Sequence, residues 1–215
     1  MTITIVDKSP HFEWIPNNFM TLTQDEWKEN HIHFTYSMTI HQSPRVSFIQ
    51  AKLTRVVDEK QVELAYPDGK SGTLEYDVLL LTTGSSYNSP WRAADDKIPT
   101  TAEREEEYRK VREDIKAASS VLCVGAGPAG VEAAGWIKEV YPEKTVGICM
   151  RGDKILARFN NAHAVAEGIL KKIGVECHYN VNYSEGVTVK TAAGSNFEYV
   201  LDCRGFKYNG PKQYL

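Results

Sequence analysis

The pattern best suited to binding a ligand is a glycine-rich turn just past the middle of the chain. Gly125, Gly127 and Gly130 stand at GxGxxG spacing, directly after an apolar run at 121–124. Between a strand and a helix, the first glycine permits a tight turn, the second lets a pyrophosphate approach the backbone, and the third lets helix and strand pack closely. The helix N-terminus adds free N–H groups and a partial positive charge. The pattern predicts a dinucleotide site; the alternative is a turn of the same shape that binds nothing. The residues of the predicted site are Gly125, Ala126, Gly127, Pro128, Ala129 and Gly130.

The strand after this turn should end beside the adenosine ribose of a bound dinucleotide. Twenty residues after Gly130 come Met150 and Arg151, at the place where a carboxylate usually binds the ribose 2′-hydroxyl. An arginine there can bind a 2′-phosphate through charge-assisted hydrogen bonds, or it can be a surface residue at a strand end. We expect both residues to belong to the site, and NADPH to bind at least as well as NADH.

The elements around these residues alternate between strands and helices, which indicates a doubly wound α/β unit with a parallel sheet. Thr100 and Glu103 form a capping-box pattern that predicts a helix over 101–118. The other predicted helices are 129–141 and 160–173, and the predicted strands are 121–124, 145–150, 175–179, 187–191 and 197–202.

The first part of the chain reads as short strands and turns. Residues 2–6 form a strand that ends in an acid, Asp7, and 77–81 read as a continuous apolar strand inside a parallel sheet. Residues 11–18 read as an ordered loop, and 25–41 are ambiguous, with some helical character at the start. Further strands are predicted at 47–50, 53–57, 61–65 and 73–76, with a turn at 67–69.

Composition narrows the class of protein. The 215 residues include 25 basic and 28 acidic side chains, with no basic block that would follow a nucleic-acid backbone. The longest apolar run has four residues, whereas a membrane-spanning helix needs about 20. The four cysteines form no CxxC pair and no zinc-ligand pattern. We therefore expect no nucleic acid, no membrane span, no metal, and a reducing intracellular compartment, the cytoplasm or the mitochondrion.

The sequence resembles the FAD- and NAD(P)H-dependent pyridine nucleotide oxidoreductases, in the apoptosis-inducing-factor-like and ferroptosis-suppressor-like branch. Type II NADH dehydrogenases are more distant relatives of that branch. The resemblance spans nearly the whole chain and rests on VGAGPAGVEAAGW at 124–136, YPEK at 141–144, DVLLLTTG at 77–84 and FEWIP at 12–16. It implies a Rossmann-like two-dinucleotide-binding flavoprotein fold.

The resemblance also implies roles for individual residues. Asp7 would contact the adenosine ribose of FAD, and the backbone near Leu53 would lie beside the adenine. Thr82, Thr83 and Gly84 would form a return motif against the flavin nucleotide, and Cys203, Arg204 and Gly205 would form a second one. Glu132 would sit near the nicotinamide and flavin as the catalytic positioning residue. The alternatives are a plain strand-end acid for Asp7 and an ordinary first-turn helix acid for Glu132.

The chain also departs from the pattern of that family. A first strand–GxGxxG–helix unit and a C-terminal interface domain lie outside its sequence, so we expect an N- and C-terminally incomplete enzyme. The expected parts are an incomplete FAD-binding domain at 1–95, a linking helix at 96–118, a complete NAD(P)-binding insert at 119–205 and a tail at 206–215.

This organisation predicts the ligands and the partners. NAD(P)H should bind, and FAD should bind only if the missing segments are supplied. A protein partner should cover the strand edge from Thr2 to Val6. The complete enzyme would pass electrons from NAD(P)H through FAD to a quinone-like acceptor, and the alternative function is a non-catalytic structural subunit of a larger assembly.

Overall fold

A computed structural model describes residues 1–15, 18–24, 33–35, 43–87, 90–92, 97–159, 161–184, 186–205, 207–210 and 214. The helices in these residues are α1 (Asn18–Thr21), α2 (Thr101–Ala117), α3 (Pro128–Val140) and α4 (Ala162–Lys172). The strands of the first part are β1 (Ile3–Asp7), β2 (His11–Glu13), β3 (His33–Thr35), β4 (Val46–Gln50), β5 (Lys52–Val56), β6 (Gln61–Ala65), β7 (Ser71–Glu75) and β8 (Ser85–Ser86). The later strands are β9 (Ser120–Val124), β10 (Thr145–Cys149), β11 (Val175–His178), β12 (Tyr199–Asp202) and β13 (Lys207–Tyr208). Within this described part, no helix is long and apolar enough to cross a membrane.

Strands β9 to β12, which lie in the predicted insert at 119–205, form a four-stranded parallel sheet in the order β11-β10-β9-β12. From β9 the chain continues to β10 and β11 on one side of β9 in the sheet, and then crosses to β12 on the other side. The crevice at the carboxyl ends of β9 and β12 is therefore a topological switch point. Helices α3 and α4 pack on one face. The other face is covered by Val181, Tyr183, Val189 and Phe197, which pack against Leu122 and Val124. The predicted α/β class and the Rossmann-like sheet are confirmed.

Helix α2 is attached at both of its ends. At its start the Oγ1 of Thr100 accepts from the N–H of Glu103 at 3.2 Å, and the Glu103 carboxylate accepts from the N–H of Thr100 at 2.7 Å. This is the capping box that the sequence predicted. Beyond its end, the buried Lys144 ammonium donates to the carbonyls of Lys116 and Ala118 at 2.9 and 2.5 Å. The carbonyl acceptors near the C-terminus of the helix therefore meet a cation that also fixes the start of β10.

The first part of the chain forms several small sheets. Strands β1 and β4 pair in parallel, β2 and β3 pair antiparallel, and β5-β6-β7 form an antiparallel meander around the buried Val62 and Leu64. A buried ion pair joins β2 to α2, since the Arg104 guanidinium, with 2% of its side chain exposed, donates to the Glu13 carboxylate at 2.8 Å. Tyr108 also donates to that carboxylate. These contacts position α2 between the two parts of the molecule.

The predicted buried strand at 77–81 is wrong. The segment forms no strand, and Val78 and Leu80 are 87% and 81% exposed, whereas Leu79 packs against the apolar cluster of the meander. A strand needs a hydrogen-bonded neighbour, and no strand in the part of the chain described by the structure pairs with this segment. The segment is irregular and bends at 77–78, and only Leu79 and Leu81 are partly covered.

Three other predictions change in smaller ways. Residues 11–18, predicted as a loop, contain β2 and the first residue of α1. The predicted strand at 187–191 is reduced to a single bridge between Lys190 and Asn196, because the segment passes over the sheet face instead of joining its edge. In the ambiguous segment at 25–41, only His33–Thr35 lies among the described residues, and its backbone forms β3.

Candidate dinucleotide site

The glycine turn lies at the carboxyl end of β9, and its three glycines have different surroundings. Gly125 has a φ of +105°, a left-handed conformation that favours glycine. A Cβ there would lie 3.0 Å from the backbone of Arg204, and a Cβ on Gly130 would lie 1.8 Å from the carbonyl oxygen of Gly125. At Gly127 nothing lies within 4 Å of a Cβ. The turn is therefore closed by packing at its first and third glycines and open at its second.

The helix after the turn leaves its first N–H groups available to an anion. Gly127 is the N-cap of α3, has no side chain to cap it, and is followed by Pro128 at the first helical position. The carbonyl of Gly127 accepts the first intrahelical hydrogen bond, from Val131 at 3.0 Å. On the other side of the turn, the carbonyl of Ala126 accepts from the N–H of Leu156 at 2.8 Å. The segment after β10 thus holds the turn, while the helix start lacks a protein cap.

The two residues predicted at the end of β10 differ in their exposure. Met150 is 6% exposed and packs in the core beneath α3 and α4, and its N–H and carbonyl bond to the backbones of His178 and Val181. Arg151 is exposed and forms no ion pair with any other residue that the structure describes. Of these two residues, only Arg151 has a side chain that a ligand can reach.

The middle residue of the predicted second return motif, Arg204, lies beside the turn, although sequence reasoning assigned it no role of its own. Arg204 follows β12 directly, and its guanidinium binds the Asp202 carboxylate through Nε at 2.9 Å and Nη2 at 2.7 Å. Its Nη1 donates to the carbonyl of Tyr183 at 2.9 Å. The hydrogen bonds to Asp202 raise the pKa of Arg204 above its usual value. The signal in the sequence was an acid and an arginine two residues apart, directly before Gly205.

Gly205 itself is exposed, and a Cβ there would meet no other atom within 4 Å. The predicted return motif at 82–84 is followed by β8, and the predicted motif that ends in Gly205 is followed by β13. These two strands pair with each other. The hydroxyl of Thr83 donates to the carbonyl of Asn209 at 2.6 Å, and the N–H of Asn209 donates to the carbonyl of Gly84 at 2.9 Å. The structure thus joins the segments that follow the two return motifs, while Thr82 is exposed.

Asp7 and Leu53 lie close to each other at the ends of their strands. The Asp7 carboxylate accepts from the N–H of Ser9 at 2.8 Å. The backbone carbonyl of Asp7 accepts from the N–H of Ala51, two residues before Leu53. Leu53 is half-buried in β5 against the meander core. The structure brings these two predicted residues together, and their contact with a nucleotide stays a prediction.

Glu132 is the fifth residue of α3 and faces α4, so it lies one turn later than the first-turn acid that the sequence suggested. It lines a groove of about 260 Å³ between the two helices, with Gly135 and Ile169 among its neighbours. Partial desolvation raises the pKa of its carboxyl. Its predicted place near a nicotinamide and a flavin stays a prediction.

Comparison with known proteins gives the family of the chain. A family model described as pyridine nucleotide-disulphide oxidoreductase matches residues 2–209. Ferroptosis suppressor protein 1 of Taeniopygia guttata is 27% identical over 191 residues, covering 81% of this chain and 48% of that protein. Apoptosis-inducing factor homolog A of Dictyostelium discoideum is 36% identical over 105 residues, covering 44% of this chain and 25% of that protein. The chain therefore spans less than half the length of these two relatives.

Solved structures with the same fold are about twice as long as this chain. NDH2 from Plasmodium falciparum in complex with NADH aligns with 95% of this chain and 50% of its own, at a TM-score of 0.69 and 15% identity. An engineered water-forming NADPH oxidase bound to NADPH aligns with 97% of this chain and 49% of its own, at a TM-score of 0.71 and 17% identity. The likeness in structure establishes the fold, and the family match establishes the kinship that the sequence motifs predicted. The chain belongs to the pyridine nucleotide-disulphide oxidoreductase family.

Proposed function

We propose that the insert at 119–205 binds NAD(P)H at the glycine turn, as the nucleotide-binding part of a flavin-dependent NAD(P)H oxidoreductase. The observation that carries this proposal is the open backbone at Gly127, flanked by two glycines that packing closes. A Cβ at Gly127 would fill the space that a pyrophosphate needs. The uncapped start of α3 lies directly beside this space and favours an anion.

The complete enzyme would use the hydride chemistry of its cofactors, with a quinone-like compound as the final acceptor. NAD(P)H supplies a hydride and a flavin accepts it, while protein groups bind and orient both molecules. The residues of this chain fit NAD(P)H and only part of FAD. Asp7, Leu53 and the motif at 82–84 would contact the nucleotide of FAD, but residues 1–118 contain no second GxGxxG turn for its pyrophosphate. We therefore propose FAD binding only together with a further polypeptide segment that supplies this turn.

Nucleotide preference is the second part of the proposal. Arg151 is exposed at the end of β10, and the strand-end positions 150 and 151 carry no carboxylate to repel a 2′-phosphate. The engineered NADPH oxidase gives a parallel, since its five substitutions relative to the parent oxidase remove an aspartate and introduce two arginines. The parent has been solved bound to NADH. By the same chemistry, this chain should bind NADPH at least as well as NADH.

A second candidate function is a non-catalytic subunit of a larger assembly, and one surface favours it. Among the described residues β1 pairs only with β4, which leaves its other edge open. Val78 and Leu80, which follow the last strand of the meander, also expose apolar side chains. Val6 of β1 and Leu79 pack against the same apolar cluster. We propose that a β-strand of another polypeptide segment pairs with the free edge of β1.

Two measurements separate these functions. A flavin absorption spectrum of the purified protein, alone and with its copurifying partners, tests the enzyme, because a structural subunit carries no flavin. Sedimentation velocity tests the proposed strand partner. A well-behaved monomer of 24.2 kDa with no copurifying chain would contradict the partner.

The nucleotide site is tested by adding a side chain at its open glycine. Gly127→Val should lower the affinity for NADH and NADPH by at least ~100-fold, or about 3 kcal/mol, because the branched side chain occupies the pyrophosphate space. Gly168→Val on α4 is the matched control, since nothing lies within 4 Å of a Cβ at Gly168 either. Fluorescence titrations of NADH and NADPH measure both variants. Equal affinities for wild type and Gly127→Val would overturn the proposed site.

A further inference from the structure

We propose that Arg204 is a nucleotide-binding residue, whose guanidinium contacts the pyrophosphate of the dinucleotide at the crevice between β9 and β12. This inference rests on the proposed NAD(P)H site and adds a cationic residue to it. The ligand chemistry is that of a diphosphate that bears two negative charges, shared by NADH, NADPH and ADP-ribose.

The backbone of Arg204 places it at the turn. Its N and Cα lie 3.0 Å from the position of a Cβ on Gly125, which is the first residue of the glycine turn. The residue before it, Cys203, pairs through its N–H with the carbonyl of Val124 at 2.8 Å, so β12 delivers Arg204 directly to the end of β9. In open α/β sheets, ligands bind at this switch point outside the carboxyl ends of the strands.

The guanidinium is held before any ligand arrives. Asp202 fixes its Nε and Nη2 in a bidentate pair, and the carbonyl of Tyr183 fixes one proton of Nη1. Asp202 is itself fixed, because its carbonyl accepts from the indole N–H of Trp91 at 2.7 Å. A guanidinium that is already oriented loses little conformational entropy when it binds a phosphate.

The guanidinium also keeps donors for a ligand. Arginine has five N–H donors, and these contacts use three of them, which leaves one proton on each terminal nitrogen without an acceptor among the described residues. The side chain is 49% exposed, so solvent and ligands reach it. Each of these two remaining N–H groups can donate to a phosphate oxygen.

Arg204 and Arg151 should have separable effects, because they lie at the ends of different strands. Arg204 follows β12 beside the turn, where every dinucleotide has its pyrophosphate. Arg151 follows β10, where only NADPH has an additional phosphate. Loss of Arg204 should therefore weaken NADH, NADPH and ADP-ribose alike, whereas loss of Arg151 should weaken NADPH alone.

The experiment compares Arg204→Met, Arg204→Lys and Arg151→Met in the full chain, titrated with NADH, NADPH and ADP-ribose at several salt concentrations. Arg204→Met should weaken all three ligands about tenfold, as expected for the loss of a charge-assisted hydrogen bond. It should also flatten the salt dependence of binding, because the charge–phosphate interaction is screened by salt. Arg204→Lys should recover part of the affinity and the salt dependence, since it keeps the charge and loses the fork.

The outcomes are distinguishable from those of the proposed function. If wild type binds none of the three ligands, the NAD(P)H site itself is wrong. If wild type binds and both Arg204 variants bind all three ligands equally well or better, this inference alone is overturned. Thermal unfolding reports whether Arg204→Met folds, and where it does not, Arg204→Lys and its salt dependence decide the result.

Discussion

The two parts of the molecule contain similar apolar segments but bury them to different extents. In the insert all five residues of β9 are buried, because β10 and β12 flank the strand and both of its faces are covered. In the first part, β1 has one paired neighbour, and the apolar segment at 77–81 exposes Val78 and Leu80 almost completely. Burying one such side chain contributes about 1.5–3 kcal/mol. The insert gains this free energy at Val121, Leu122 and Val124 of its central strand, whereas Val78 and Leu80 contribute little.

This difference bears on which ligand the chain can hold. The glycine turn of the insert is built on a strand with two neighbours and a covering helix, and its geometry is defined by close packing at Gly125 and Gly130. Asp7 and the motif at 82–84 lie on segments with fewer neighbours, and their contacts are mostly hydrogen bonds to nearby backbone. Nucleotide binding by the insert should therefore be less dependent on other segments than flavin binding by the first part.

The largest effect is expected where the insert is packed most tightly. Gly130→Ala places a Cβ 1.8 Å from the carbonyl oxygen of Gly125, and neither backbone can move without breaking the contact between α3 and β9. The substitution should destabilise the chain by more than about 4 kcal/mol. Urea unfolding followed by circular dichroism measures the loss. Gly168→Ala, in open space on α4, should not destabilise the chain.

A matched pair of leucines measures the difference between the two parts directly. Leu122 of β9 is 1% exposed, whereas Leu80 is 81% exposed. Leu122→Ala should lower the free energy of unfolding by about 3 kcal/mol through lost burial and a cavity, and Leu80→Ala by less than about 0.5 kcal/mol. The same urea titration compares both variants with wild type. A loss above 1 kcal/mol for Leu80→Ala would mean that its side chain is covered in solution.

The sequence predicted the insert and the helix before it well because their signals are local. The glycine spacing, the flanking apolar run and the capping box of Thr100 and Glu103 each act within a few residues, so the turn, α3 and the start of α2 follow from them. The segment at 77–81 was mispredicted because an apolar run states a preference for burial and says nothing about whether a neighbouring strand is there. The position of Arg204 beside the glycine turn was not predicted, because it depends on β12 ending beside β9, a contact between residues about 80 positions apart.

The smallest expected effect concerns the choice between the two nucleotides. Arg151 is exposed, so a contact with a 2′-phosphate is partly screened by solvent and should be worth about 1.5 kcal/mol, or roughly tenfold in affinity. Arg151→Ala should therefore lower the affinity for NADPH about tenfold and leave that for NADH unchanged. Lys172→Ala, at the distant end of α4, removes the same charge and should leave the ratio of the two affinities unaltered. Paired titrations of both nucleotides measure the ratio, and an unchanged ratio in Arg151→Ala would make this arginine an ordinary surface charge.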